Sequence, residues 1–264
     1  TWDVQHGIVF TSMFEGATSF QGNLSQWNVR NARAMGGMFA NAIRYQPTQE
    51  DGSTLARWNI ARCSDFSFMF DNATRFNDGG LSQWQPTNGL NFRGMFRKAL
   101  RFNATLADWK IFRAIDVSSM FEGSAAFDQD LSQWDVDNVV TFEGMFNEAS
   151  NFDQDLTNWQ VGQAETLSKM FRRTNLNQDY CVWSEQLSNV TNTGRIFFGS
   201  DCEMQGNPNS IQNETTGSLL GPFCAECFDA EGELITSRAA GFGGMSSWTL
   251  AIVLHACWLR WLWR

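Results

Sequence analysis

Large apolar residues recur along this chain at fixed intervals. Trp stands at positions 2, 27, 58, 84, 109, 134, 159 and 183, spaced by 25, 31, 26, 25, 25, 25 and 24 residues. A Met-Phe pair follows each of the first seven Trp at a constant offset: Met13-Phe14, Met38-Phe39, Met69-Phe70, Met95-Phe96, Met120-Phe121, Met145-Phe146 and Met170-Phe171. Four residues past each Met comes a small side chain (Ala17, Ala42, Ala73, Ala99, Ser124, Ala149, Thr174). Seven past it comes an aromatic in six copies: Phe20, Tyr45, Phe76, Phe102, Phe127 and Phe152. Three offsets held over seven copies and a fourth over six mark an internal repeat, and a period near 25 residues is the signature of a solenoid.

Within a copy, Leu131-x-x-Trp134-x-Val136 has the apolar spacing of leucine-rich repeats, repeated at Leu24/Trp27/Val29, Leu106/Trp109/Ile111 and Leu156/Trp159/Val161. This spacing predicts a short strand with Trp and Val on the inward pleat face. Met, small residue and aromatic at i, i+4 and i+7 predict one helical or 3-10 turn on the opposite wall. The one long interval contains Gln46–Thr54, a polar Pro- and Gly-containing stretch that predicts a loop bulging from one turn. A single turn cannot stand alone. Six large side chains contribute roughly 1.5–3 kcal/mol each on burial. Fixing the backbone costs on the order of 1–2 kcal/mol per residue. Neighbouring copies must therefore cover each other's open faces.

The wording F-D-Q-D-L-S-Q-W-D-V-D-N-V-V-T-F-E-G-M-F-N-E-A over residues 127–149 resembles the repeat of BspA-like leucine-rich-repeat surface proteins, a type first noted in mycoplasma lipoproteins. The resemblance covers residues 1–174. It implies a right-handed leucine-rich-repeat-like α/β solenoid, about seven turns of ~25 residues with one strand and one short helical turn each. It also implies a secreted or cell-surface setting, a role in adhesion, and no catalytic residues to transfer. Pro86 in place of the strand Val, and Gly79-Gly80 before Leu81, predict an irregular strand in the fourth turn.

The chain opens inside a copy, at Thr1-Trp2-Asp3-Val4, so further repeats, a cap or a signal peptide are expected upstream. After Thr174 the character changes. Residues 175–228 read as a degenerate last turn, with Trp183 and Ile196-Phe197-Phe198, followed by a cap holding Cys181, Cys202, Cys224 and Cys227. Disulfides pairing Cys181 with Cys202 and Cys224 with Cys227 are preferred among three connectivities. Zinc is the alternative, but the Cys181 to Cys202 gap lacks a companion C-x-x-C. Residues 229–247 read as a flexible linker. Residues 248–264 form an apolar tail too short to span a bilayer core as a helix, with the character of a GPI signal or membrane anchor, although Arg260 and Arg264 do not suit the former. Sequons at Asn23, Asn72, Asn103, Asn189 and Asn213 lean towards secretion.

Composition fits this picture: 12 Trp and 23 Phe against 2 Tyr suggest one template copied many times. The net charge of −9 argues against nucleic acid and anionic membranes as partners. Only two His are present, His6 and His255, and no catalytic triad or phosphate-binding glycine loop can be assembled. The best carboxylate constellation is Asp128, Asp130, Asp153 and Asp155. It could hold Ca²⁺ or serve a glycan-active enzyme, but closing turns through hydrogen bonds is the simpler use. No cofactor is implied. The candidate binding face consists of the residues flanking each Trp: Gln26 and Asn28, Arg57 and Asn59, Gln83 and Gln85, Asp108 and Lys110, Gln133 and Asp135, Asn158 and Gln160. The expected function is extracellular recognition or adhesion, binding protein or glycan through this polar strip. The alternative is a structural subunit that self-associates end to end.

Overall fold

A computed structural model describes residues 2–48, 52–187, 191–206, 208, 223–225 and 227. The copies lie one upon the next. A single parallel bridge joins each to its neighbour, running Val9, Ala34, Asp65, Asn91, Asp116, Thr141, Thr166, Asn192. These bridging residues stand four before each Met, and the series continues to an eighth layer in which Ile196-Phe197 replaces Met-Phe.

The local elements differ from the sequence expectation. Leu-x-x-Trp is not a strand but a tight turn, closed by Trp109 N donating to Leu106 O (3.0 Å) and repeated in its neighbours. In the fourth copy the same segment tightens into a 3-10 helix, Gly79–Gln83, with Asp78 accepting from Gly80 N at its start. The wall around Met carries no helix either. It is a chain of turns, Phe92 to Met95, Phe96 to Ala99 and Ala99 to Phe102, each closed by an i+3 amide on an i carbonyl at 3.0–3.1 Å. First and last residues of each turn point inward and the middle two point out, so both segments show a spacing of three. Leucine-rich-repeat and helical patterns share that spacing.

Two backbone positions per copy make this wall possible. The residues just before and three after each Met have positive φ, between 53° and 75°, in all eight layers. Gly94 and Gly123 accept this readily, while Ser119 and Lys98 bear the strain of a side chain. The result is a one-way ladder. Amides of Phe92, Gly94, Phe96 and Lys98 donate to carbonyls of Asp116, Ser118, Met120 and Glu122 in the next layer (2.7–2.9 Å). The intervening amides close the local turns, so every second donor serves stacking and the rest serve curvature.

Inside, the side chains form files. Trp27, Trp58, Trp84, Trp109, Trp134 and Trp159 stack with centroids 6.2–6.4 Å apart and planes within 12°. A second file of Phe runs from Phe14 to Phe197 at 5.4–5.9 Å. Burial of Trp58 to Trp159 is nearly complete. Why Trp rather than Phe is answered by the indole N–H. Nε1 of Trp58, Trp84, Trp109, Trp134 and Trp159 donates to the Leu carbonyl one layer below at 2.8–3.0 Å. The same carbonyl also accepts the amide of its own Trp, so each indole bolts two layers together.

The insertion closes on itself, Ser53 N and Thr54 N both donating to Thr48 O, and the stack continues past it. Buried Asp78 then accepts from Thr54 Oγ1, Leu55 N and Gly80 N at 2.7–2.8 Å. At the far end the disulfides correct the preferred pairing: they are Cys181–Cys227 and Cys202–Cys224. The segment containing Cys224 and Cys227 lies against the last layers, with Tyr180 N donating to Phe223 O and an antiparallel bridge from Met204 to Cys224. Each cysteine of the C-x-x-C therefore meets a different segment, Cys227 the one at Cys181 and Cys224 the one at Cys202. Residues 229–264, with the expected linker and apolar tail, lie outside the described residues, as do Asn189 and Asn213. Among the described residues no helix is long and apolar enough to cross a membrane.

Candidate binding face

The twelve residues flanking the Trp file are all exposed, and they repeat as two columns one layer apart. Part of this strip is used locally. Asn28, Asn59 and Asp135 each accept the amide two residues on, at 3.2–3.4 Å. Gln83 and Gln133 donate to the preceding Ser hydroxyls. Gln85 reaches up to Asp108 O. The columns are thus stiffened at their bases, while their outward chemistry changes from copy to copy: Gln, Arg, Gln, Asp, Gln, Asn on one, Asn, Asn, Gln, Lys, Asp, Gln on the other.

The carboxylate ladder is engaged as hydrogen-bond acceptor. Asn77, Asn103, Asp128 and Asp153 each accept the backbone amide of the next member, Asn103, Asp128, Asp153 and Asn177 (3.0–3.1 Å). The side chains of Gln129, Gln154 and Gln178 donate to the same oxygens. Asp130 and Asp155 accept Ser132 N and Thr157 N. Those Ser132 hydrogen bonds hold the Asp130 carboxyl below its ordinary range. Layer stacking and turn closure account for all four carboxylates.

The sequons are unequal. Asn23 is exposed, with Oδ1 accepting Ser25 N. Asn72, at φ 53°, donates Nδ2 to Asn41 Oδ1. Asn103 belongs to the ladder just described. Cys63 is free and buried, and burial pushes its thiol up to about 12, which leaves it an inert core side chain.

One feature was missed in the sequence. Residues 30–113 hold 12 of the 19 Lys and Arg but only 6 of the 28 Asp and Glu, so the acidic average conceals a basic region in layers two to five. There, two open grooves lie side by side. One, of about 450 Å³, is lined by Arg33, Arg62, Ser64, Asn88, Leu90 and Arg113. The other, of about 420 Å³, is lined by Arg30, Asn31, Asn59, Ala61 and Arg62. Arg62 is common to both, and Asn59 joins this edge to the Trp-flanking strip. The uneven cation count was the available signal.

The family model described as Mycoplasma protein of unknown function, DUF285, matches residues 1–54, 50–126 and 106–209. No curated protein and no solved structure matches the chain.

Proposed function

The chain belongs to the DUF285 family of repeat-containing proteins, and from that premise we propose that it is a non-enzymatic extracellular or cell-surface recognition module, an adhesion protein of the BspA-like type. Its stack of turns is a right-handed leucine-rich-repeat-like solenoid in this reading, and it binds protein or glycan through the strip beside the Trp file. One observation carries the proposal: the inward positions repeat almost unchanged, whereas the exposed positions flanking each Trp differ from layer to layer. A constant core under a varied polar surface is how a scaffold displays a specific face. Two disulfides at the C-terminal end support an oxidising compartment, with membrane or GPI attachment through the tail. Screening the protein on a glycan and cell-surface protein array tests this, with discrete hits expected and a blank array counting against it.

A further inference from the structure

The two grooves share a built feature that neither the Trp-flanking strip nor the core requires. Seven residues before each Met, one column reads Asn31, Arg62, Asn88, Arg113, Asn138 in five successive layers. Nδ2 of Asn31, Asn88 and Asn138 donates to the carbonyl of Gln5, Ala61 and Phe112 in the layer below (2.7–2.8 Å). This fixes each amide, so Oδ1 faces the next layer. There Arg62 Nη1 donates to Asn31 Oδ1 at 3.0 Å and Arg113 Nη1 to Asn88 Oδ1 at 2.6 Å. Each guanidinium is thereby oriented through one of its five donors, and the others are left for a ligand.

Arg62 and Arg113 are set apart by the Asn amide that orients each of them, and like most arginines of the described residues they have no carboxylate partner. Arg97 is bidentate on Asp71, and Arg172 and Arg173 pair with Glu148. Arg30, Arg33, Arg62 and Arg113 are exposed and form no ion pair among the described residues. Four unneutralised guanidiniums around two continuous grooves repel one another until an anion enters. Beyond layer five the sign reverses, with Asp135, Asp137 and Glu165 at neighbouring positions, so the anionic stretch of the ligand is confined to about four layers.

We propose that this edge binds an acidic glycan whose sugars alternate between anionic and neutral units, with carboxylate or sulfate on every second one. Successive layers are roughly 4.8 Å apart, comparable to one pyranose residue in an extended chain. The column itself alternates a guanidinium with an amide at that pitch, so Arg62 and Arg113 meet anionic groups and Asn88 and Asn138 lie beside neutral units, while Arg30 and Arg33, on either side of Asn31, add positive charge at one end of the ligand. Phe112, 41% exposed next to Arg113, offers a flat apolar face to a sugar ring. A single-stranded nucleic acid would instead want a series of stacking rings and a phosphate contact in every layer. The proposal rests on the recognition reading for its setting and narrows the ligand.

The test is calorimetry of the full chain at low and moderate salt. The probes are a hexasaccharide of alternating glucuronate and N-acetylgalactosamine, an oligogalacturonate, a neutral chito-oligosaccharide and oligothymidylate of matched length. The alternating acidic sugar should bind best, weakening with salt. The double variant R62Q/R113Q should lose roughly tenfold or more, as two charge-assisted contacts imply. The triple variant R44Q/R75Q/R101Q removes more charge from exposed positions half a repeat away, and should lose less than about threefold if the site is local. Equal loss in both variants would reduce the effect to general electrostatics and overturn the site. So would preference for oligothymidylate, or no binding of the acidic sugars. Should array hits survive while all anions fail, this inference falls and the recognition reading stands; a blank on both removes the two together.

Discussion

The two tyrosines occupy aromatic places in the same stack, yet their hydroxyls have opposite fortunes. Tyr180 Oη accepts Leu156 N at 3.3 Å and donates to Gln154 O at 3.2 Å. Tyr45 Oη is buried without a hydrogen-bond partner among the described residues, and the equivalent position is Phe in five other copies. Burial, and then the charge of Asp78, drives the Tyr45 phenol well above its ordinary range, which marks a poorly solvated group. An orphaned buried hydroxyl costs its desolvation, whereas a satisfied one contributes about 1 kcal/mol net. Tyr45→Phe should therefore leave stability unchanged or raise it by about 1 kcal/mol, and Tyr180→Phe should lower it by about 1–2 kcal/mol. Urea unfolding of the two variants checks this; a loss in Tyr45→Phe would show that its hydroxyl has a partner.

Among the elements, the repeat and its inward positions were plain in the sequence, but the kind of element was not. Leu106-x-x-Trp109 and Ala99-x-x-Phe102 place apolar residues three apart, a period that strands in leucine-rich repeats, 3-10 helices and chained turns all tolerate. The deciding signal was the backbone demand just before and three after each Met. Gly serves it in several copies (Gly16, Gly37, Gly94, Gly123, Gly144), while Phe68, Lys98, Glu148 and Lys169 hide it in others. Those positions give a test. An alanine at Gly144, φ +62°, meets nothing nearer than 3.6 Å and should cost only the left-handed strain, about 1 kcal/mol. At Gly94, φ +58°, the new Cβ would stand 2.5 Å from the Phe68 ring, which Arg93 and Arg97 cover at 6.0 and 5.3 Å. Gly94→Ala should cost about 2 kcal/mol or more, with Phe68→Ala relieving the excess in the double variant. Equal losses at the two glycines in denaturant melts would mean that the Phe68 ring yields freely and its clamp is weak.

At the level of the molecule, two properties were averaged away in the totals. The charge of −9 conceals the division between a basic edge and acidic later layers, because net charge carries no position. The cysteine spacing left the pairing open, because C-x-x-C neighbours on the chain face different partners once the segment lies across the last layers. That pairing has a consequence. Cys181–Cys227 closes 46 residues and Cys202–Cys224 closes 22, and loops of this size stabilise by roughly 3–4 kcal/mol each in the chain-entropy picture. In a stack where each layer contacts only its neighbours, that contribution is local to the end it pins and reaches the rest through the interfaces. Reduction should therefore release the layers around Trp183 and Phe197 first, while Trp84 to Trp134 stay stacked. Hydrogen exchange resolved by segment should show protection lost from residues 165–206 before residues 80–145 under mild reductant. Uniform loss along the chain would mean that the stack unfolds as one unit and that the disulfides act on all of it.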